Sequence, residues 1–172
     1  QRFSPALSRA PDDLIVLQDY LVSLVESKQA QQADRLLDQY LTKASRDPNL
    51  WRLAGRLYVS QRKTQQAEKA FRKAVELAPD VALVHYELGR LYLSERKLPA
   101  AESAFQAALK KEETNSEVHT ALGMVLASQG RADAANGHYR RAVQLDRHNA
   151  VAANNLAASL TEQQEYDEAL GL

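Results

Sequence analysis

The sequence predicts an all-α solenoid of antiparallel helix pairs, and three observations in its 172 residues predict it. Gly55, Gly89 and Gly123 recur 34 residues apart inside one cassette: Trp51, Ala54, Gly55, Tyr58; then His85, Leu88, Gly89, Tyr92; then His119, Leu122, Gly123, Leu126. A second cassette keeps the same period: Ala67, Phe71, Ala74; Ala101, Phe105, Ala108; Ala135, Tyr139, Ala142. Within each period, apolar residues recur at intervals of three and four, the spacing of a helix with one buried face. A fixed period of this length marks stacked repeats.

Residues 1–13 carry Phe3, Ala6 and Pro11 in the phase of Phe71, Ala74 and Pro79, as the tail of a preceding repeat. Pro5 confines any helix there to a start at Ser4-Pro5, because an interior proline removes a hydrogen bond and clashes. Residues 14–47 form a degenerate repeat. Tyr20-Leu21 stands where Ala54-Gly55 is echoed, and Tyr40 replaces a small alanine, so this helix pair is expected to splay.

The unit 48–81 is the clearest. Asp47 can accept the first orphan amides of a helix whose first position tolerates Pro48. That helix is expected to end near Gln61 to Lys63; the second runs from Thr64, read as its cap, to Leu77, and Pro79 closes it. Gly55 and Ala67 are small because the two helices of a hairpin must approach closely there, with Phe71 and Tyr58 filling the space beside them. Units 82–115 and 116–149 repeat the pattern, with Glu113 and Arg147 in place of the closing proline and Asn115 and Asn149 available as caps. Gly130 reads as a helix stop. In the truncated unit 150–172, Leu156-Ala157 and Leu160 keep the pattern while Ala153 replaces the bulky first residue. A chain that starts at Gln1 and stops just after Ala169 takes up the phase of Ala135 reads as a piece of a longer protein, all of it one solenoid domain.

Trp51, Gly55, Tyr58, Ala67, Phe71, Ala74 and Pro79 together resemble the tetratricopeptide repeat signature, and the resemblance covers essentially the whole chain. It implies a right-handed superhelix whose first helices line a concave side. It also implies a non-catalytic protein–protein interaction scaffold that holds a peptide or helix of a partner in that groove. Two other roles are compatible with such repeats: a structural spacer in a bacterial envelope, secretion or polysaccharide-export assembly, and a substrate-recruiting arm of a larger enzyme. The carboxylate clamp of tetratricopeptide chaperone co-factors is missing, since the matching places hold Arg52, Arg56, Glu87, Glu117 and Ala121. The asparagine ladder of sugar-transferring enzymes is missing too, with only Asn154 and Asn155 present.

Composition narrows the partner. Lys plus Arg and Asp plus Glu both number 22, so the basic excess of a nucleic-acid binder is absent. There is no cysteine for disulfides or thiolate metal sites, which fits a cytoplasmic or a periplasmic setting equally. No run approaches the roughly 18 to 20 apolar residues of a membrane helix, so direct membrane insertion is not expected. Nor does any nucleophile stand beside an oriented base, and Gly130 and Gly137 have no phosphate-binding spacing; neither catalysis nor a cofactor is predicted. The pairs Asp12-Asp13 and Glu112-Glu113 fall at unit junctions, where carboxylates favour the next helix N-terminus.

His85 and His119 hold the position of Trp51 in successive units, about 10 Å apart, too far to share one zinc at about 2 Å per ligand. Both read as packing residues, and His138 and His148 read as surface residues. By phase, the concave side should show Gln18 and Val22, Arg52 and Arg56, Tyr86 and Arg90, Thr120 and Met124, then Asn154 and Ala158. Arg52, Arg56 and Arg90 with Tyr86 suit carboxylates, because guanidinium offers a planar fork of donors and the aromatic adds stacking area. The expected partner-binding residues are therefore Arg52, Arg56, Tyr86, Arg90 and Asn154, for an acidic segment of a protein partner, with Glu87 and Glu117 as possible internal neutralisers of the arginines. Terminal helices with apolar faces also permit self-association.

Overall fold

The structure, a computed structural model, describes residues 13–162. Among them every regular element is helical, and the helices alternate between 13 and 14 residues in length. The fold is an all-α helical repeat array, divided into two compact units, Gln1–Pro79 and Asp80–Leu172.

The first unit holds α1 (Leu14–Glu26), α2 (Ala30–Lys43), α3 (Pro48–Ser60) and α4 (Thr64–Leu77). Asp13 and Asp47 cap α1 and α3: the Asp13 carboxylate accepts from the Ile15 and Val16 amides, and that of Asp47 from Asn49. Both use aspartate's capacity to satisfy amides that have no helical partner. Thr64 does not cap α4. The N-cap is Lys63, which makes no side-chain capping bond, because the chain enters α4 directly from a left-handed turn and Thr64 is already helical.

That turn recurs. Lys28, Arg62, Arg96 and Gly130 all have φ between 56° and 77°. Each follows a helix whose end is closed by a six-residue backbone bond: Gln29 N to Leu24 O, Lys63 N to Tyr58 O, Lys97 N to Tyr92 O and Arg131 N to Leu126 O. This is the Schellman ending, which needs a left-handed residue to turn the chain back. Gly130 supplies it without strain, as the sequence suggests, whereas Lys28, Arg62 and Arg96 adopt it against the preference of a side-chain-bearing residue.

The hairpin α3/α4 locks at Gly55. A Cβ there would meet the Phe71 ring at 2.5 Å, so only glycine lets the ring lie against the backbone. In α1/α2 the corresponding positions hold Leu21 and Leu37, both fully buried. The two helices of that pair approach over fewer residues than α3 and α4 do, which is the splay expected there. At the edge between them, Asp34 on α2 pairs with Lys63 and accepts from Gln61 Nε2 at 3.0 Å.

The second unit holds α5 (Ala82–Ser94), α6 (Leu98–Lys111), α7 (Ser116–Ser128), α8 (Ala132–Leu145) and α9 (Ala150–Glu162). The lock repeats twice, with Phe105 against Gly89 and Tyr139 against Gly123. Helix α5 packs on α6 and α7 on α8; α6 then meets α7, and α8 meets α9. Thus α5, α7 and α9 form one row and α6 and α8 a second. Glu102 on α6 repeats the device of Asp34: it accepts from Gln129 Nε2 at 3.0 Å and Arg131 Nη1 at 2.9 Å, and these bonds hold its carboxyl below the usual range. Asn115 and Asn149 cap α7 and α9. Val81, in the same position before α5, has no side-chain acceptor to offer.

Candidate functional site

The row α5, α7, α9 bounds a groove of about 550 Å3 in the second unit. It is built where the first helices present the residue types that the 34-residue phase places on one side. Tyr86 and Arg90 come from α5, Thr120 and Met124 from α7, and Ala150 and Val151 from α9.

Tyr86 is half-buried, its ring 5.9 Å from that of Phe105. The aromatic that locks the α5/α6 hairpin therefore also backs one wall of the groove. Arg90 lies one turn on, its guanidinium 5.7 Å from the centre of the Tyr86 ring, in a cation–π arrangement. Burial pushes the Tyr86 phenol above its usual value; Arg90 opposes the rise, and the Glu117 carboxylate, hydrogen-bonded to the phenol, adds to it. Glu117 is thus engaged by Tyr86. Arg90 itself is exposed at the groove edge.

The floor is fixed by one asparagine. Asn149 Nδ2 donates to Ser116 Oγ at 2.7 Å and to Thr120 Oγ1 at 2.9 Å, while its Oδ1 accepts the Ala152 amide at the start of α9. Ser116 Oγ in turn donates to the Ala142 carbonyl at 3.0 Å. One side chain thereby satisfies an orphan donor of α9 and ties that helix to α7. Met124 and Val151, 39% and 55% exposed, then leave apolar surface open beside the charged edge.

In the first unit, Arg52 is half-buried and Arg56 exposed on α3. Arg56 Nη1 donates to Gln18 Oε1 on α1, a long hydrogen bond at 3.4 Å. Asn154 is exposed on α9 and lies outside the groove lining. Glu117 and Val151 line the groove although the concave stripe read from the sequence omits them. They share one phase, 34 residues apart and three before Thr120 and Asn154, so widening the stripe by one helical turn would have found them.

His138 corrects the surface assignment made from sequence. It is half-buried, its Nδ1 is 3.0 Å from His119 Nδ1, and the two rings are tilted with centroids 5.2 Å apart. Position 138 faces the hairpin interior, where the same phase holds Ala70 and Ala104. Among the described residues no three His, Cys, Asp or Glu side chains come together as metal ligands, and no helix is long and apolar enough to cross a membrane.

Tetratricopeptide repeat models match residues 23–82, 52–117 and 120–172. No curated protein sequence matches the chain. Solved structures do. MamA superposes with a TM-score of 0.78 at 20% identity, over 87% of each chain. YrrB, a TPR protein with an unusual peptide-binding site, gives 0.70 at 22% identity over 99% of this chain and 88% of that one. PilF of Pseudomonas aeruginosa gives 0.79 at 17% identity over 90% of this chain and 71% of that one. At such identities the likeness is one of fold. Because the repeat models span most of its length, and each of three hairpins turns on a glycine pressed against a ring, the chain belongs to the tetratricopeptide repeat family.

Proposed function

We propose that the chain is a non-catalytic protein-interaction scaffold and that the groove of its second unit holds a short segment of a partner protein. The observation that carries this reading is the juxtaposition, on one preorganised floor, of exposed Met124 and Val151 with Arg90 stacked over Tyr86. A peptide with an apolar anchor and a neighbouring carboxylate matches both: the anchor covers Met124 and Val151, and the carboxylate takes the guanidinium fork. Glu117 and Asp146 in the same lining disfavour a uniformly acidic ligand and favour a mixed one. Arg52 and Arg56 on α3 are proposed as contacts for acidic residues of the same class of partner. The naming of a peptide-binding site in YrrB, a protein of similar fold, accords with the reading.

A peptide-display selection tests it. Peptides enriched on the wild-type chain should pair an acidic residue with a large apolar one, and they should lose at least tenfold in affinity, about 1.4 kcal/mol, on an Arg90→Glu, Met124→Asp variant of unchanged helicity. Enriched peptides that bind both proteins equally would rule out this groove.

A further inference from the structure

The hairpin α7/α8 contains a contact that peptide binding does not use. His119 is 7% exposed at the position of Trp51. In the first unit, Trp51 Nε1 donates to the Ser45 carbonyl at 2.8 Å; here His119 Nε2 lies 3.0 Å from the Glu113 carbonyl, the same six residues back. A carbonyl can only accept, so His119 Nε2 carries a proton, and in the neutral ring its Nδ1 is a lone pair. The facing nitrogen, His138 Nδ1, must then donate across the 3.0 Å gap. The neutral pair therefore has one arrangement: His119 protonated on Nε2, and His138 on Nδ1, the nitrogen less often protonated in free imidazoles.

We infer that His119 and His138 form an acid-sensitive latch, which clamps α7 to α8 at neutral pH and opens when both rings take up protons. A first added proton can settle on His138 Nε2 and leave the bond intact. A second has no place: both Nδ1 atoms would carry hydrogens at 3.0 Å, and two cations would face each other in a half-buried seam. The surroundings resist even the first. Burial lowers the affinity of both rings for protons; around His138, His119 and Arg131 add to that effect and Glu102 opposes it, while around His119 the Glu113 hydrogen bond and charge oppose it and Arg141 adds to it. The folded chain thus binds fewer protons than the unfolded one just below the ordinary histidine value of about 6.5. Stability contributed by the pair is complete above that value and is lost as pH falls below it. Packing alone does not require this pair, since Trp51 with Ala70 occupies the same two positions without a titrating group.

Helix α7 also carries Thr120 and Met124, so opening the latch would loosen the groove; that consequence, unlike the latch itself, rests on the peptide-binding reading.

The test needs no ligand. NMR of the imidazole nitrogens should find His119 protonated on Nε2 and His138 on Nδ1 at neutral pH, with both rings gaining protons only below about 6.5. From about pH 8 to about pH 5, the urea midpoint of the wild-type chain should fall further than that of an H119W/H138A variant, which installs the arrangement of positions 51 and 70. His138→Ala alone, which removes the opposing nitrogen with the smaller change, should also flatten the profile and serves if the double variant does not fold. Finding His138 in the Nε2 tautomer and titrating near 6.5, or equal losses in the wild-type chain and the folded variant, would overturn the latch. Absence of peptide binding by the wild-type chain, with the tautomers and pH profile as expected, would count against the groove and leave the latch standing.

Discussion

The two hairpins of the first unit solve one packing problem with opposite residues. In α3/α4 the first helix gives up its side chain at Gly55 so that the Phe71 ring can press against the backbone. In α1/α2 the first helix keeps a bulky Leu21 and the second contributes Leu37, smaller than the Phe71 it replaces, both leucines being fully buried. The buried volume is similar in kind, yet only the first solution draws two helices together along their length. Hydrophobic burial is thus common to both pairs, and close approach is a separate property that depends on which helix carries the bulk.

The largest test of that contrast removes the leucine. Leu21→Gly should cost about 2–5 kcal/mol for the lost side chain and its cavity, and about 1 more for glycine inside a helix, read from the urea midpoint. Adding Leu37→Phe should recover part of this loss, because the ring can enter the space. If the double variant is no more stable than Leu21→Gly alone, the two positions are not exchanging bulk. The reverse insertion is next in size. Gly55→Leu, or Gly89→Leu in the second unit where a Cβ would meet Phe105 at 2.7 Å, should cost about 3 kcal/mol or more by overpacking. An unchanged thermal midpoint in either variant would refute the lock.

The smallest test concerns what the two hairpins share. Both close with a left-handed residue, Lys28 or Arg62. Lys28→Gly and Arg62→Gly should each raise stability by about 0.5–1 kcal/mol, the relief of the left-handed penalty less the extra freedom glycine gives the unfolded chain. Equal gains at both sites would show that the turn is independent of the lock.

The lock was legible in the sequence because its members are constrained by contact and recur in phase; the repeat was visible before any single residue was interpretable. The caps Asp47, Asn115 and Asn149 were legible for a similar reason, since each is a polar acceptor directly before an apolar periodic run. Thr64 misled because a good capping side chain is useful only if the preceding backbone is extended, and here a left-handed turn runs straight into the helix. His138 was missed because each histidine was weighed on its own helix, whereas its partner lies 19 residues away on the facing one. The signal existed in the aligned units: opposite the ring at 51, 85 and 119, the small residue kept as Ala70 and Ala104 becomes His138. The groove was legible in its helices and incompletely in its residues, because the phase that picks out Tyr86 and Arg90 does not report that Glu117 would be held by the Tyr86 phenol.

The hydrogen bond from Trp51 to the Ser45 carbonyl has an optical consequence. The chain contains one tryptophan, and its indole is half-buried in the first compact unit with its N–H already engaged. Its emission therefore reports the melting of that unit, whereas far-ultraviolet dichroism sums over every helix. Coincident curves from the two probes would mean that the array unfolds as one cooperative body, and a separation between them would resolve the stability of one end from that of the other without altering a residue.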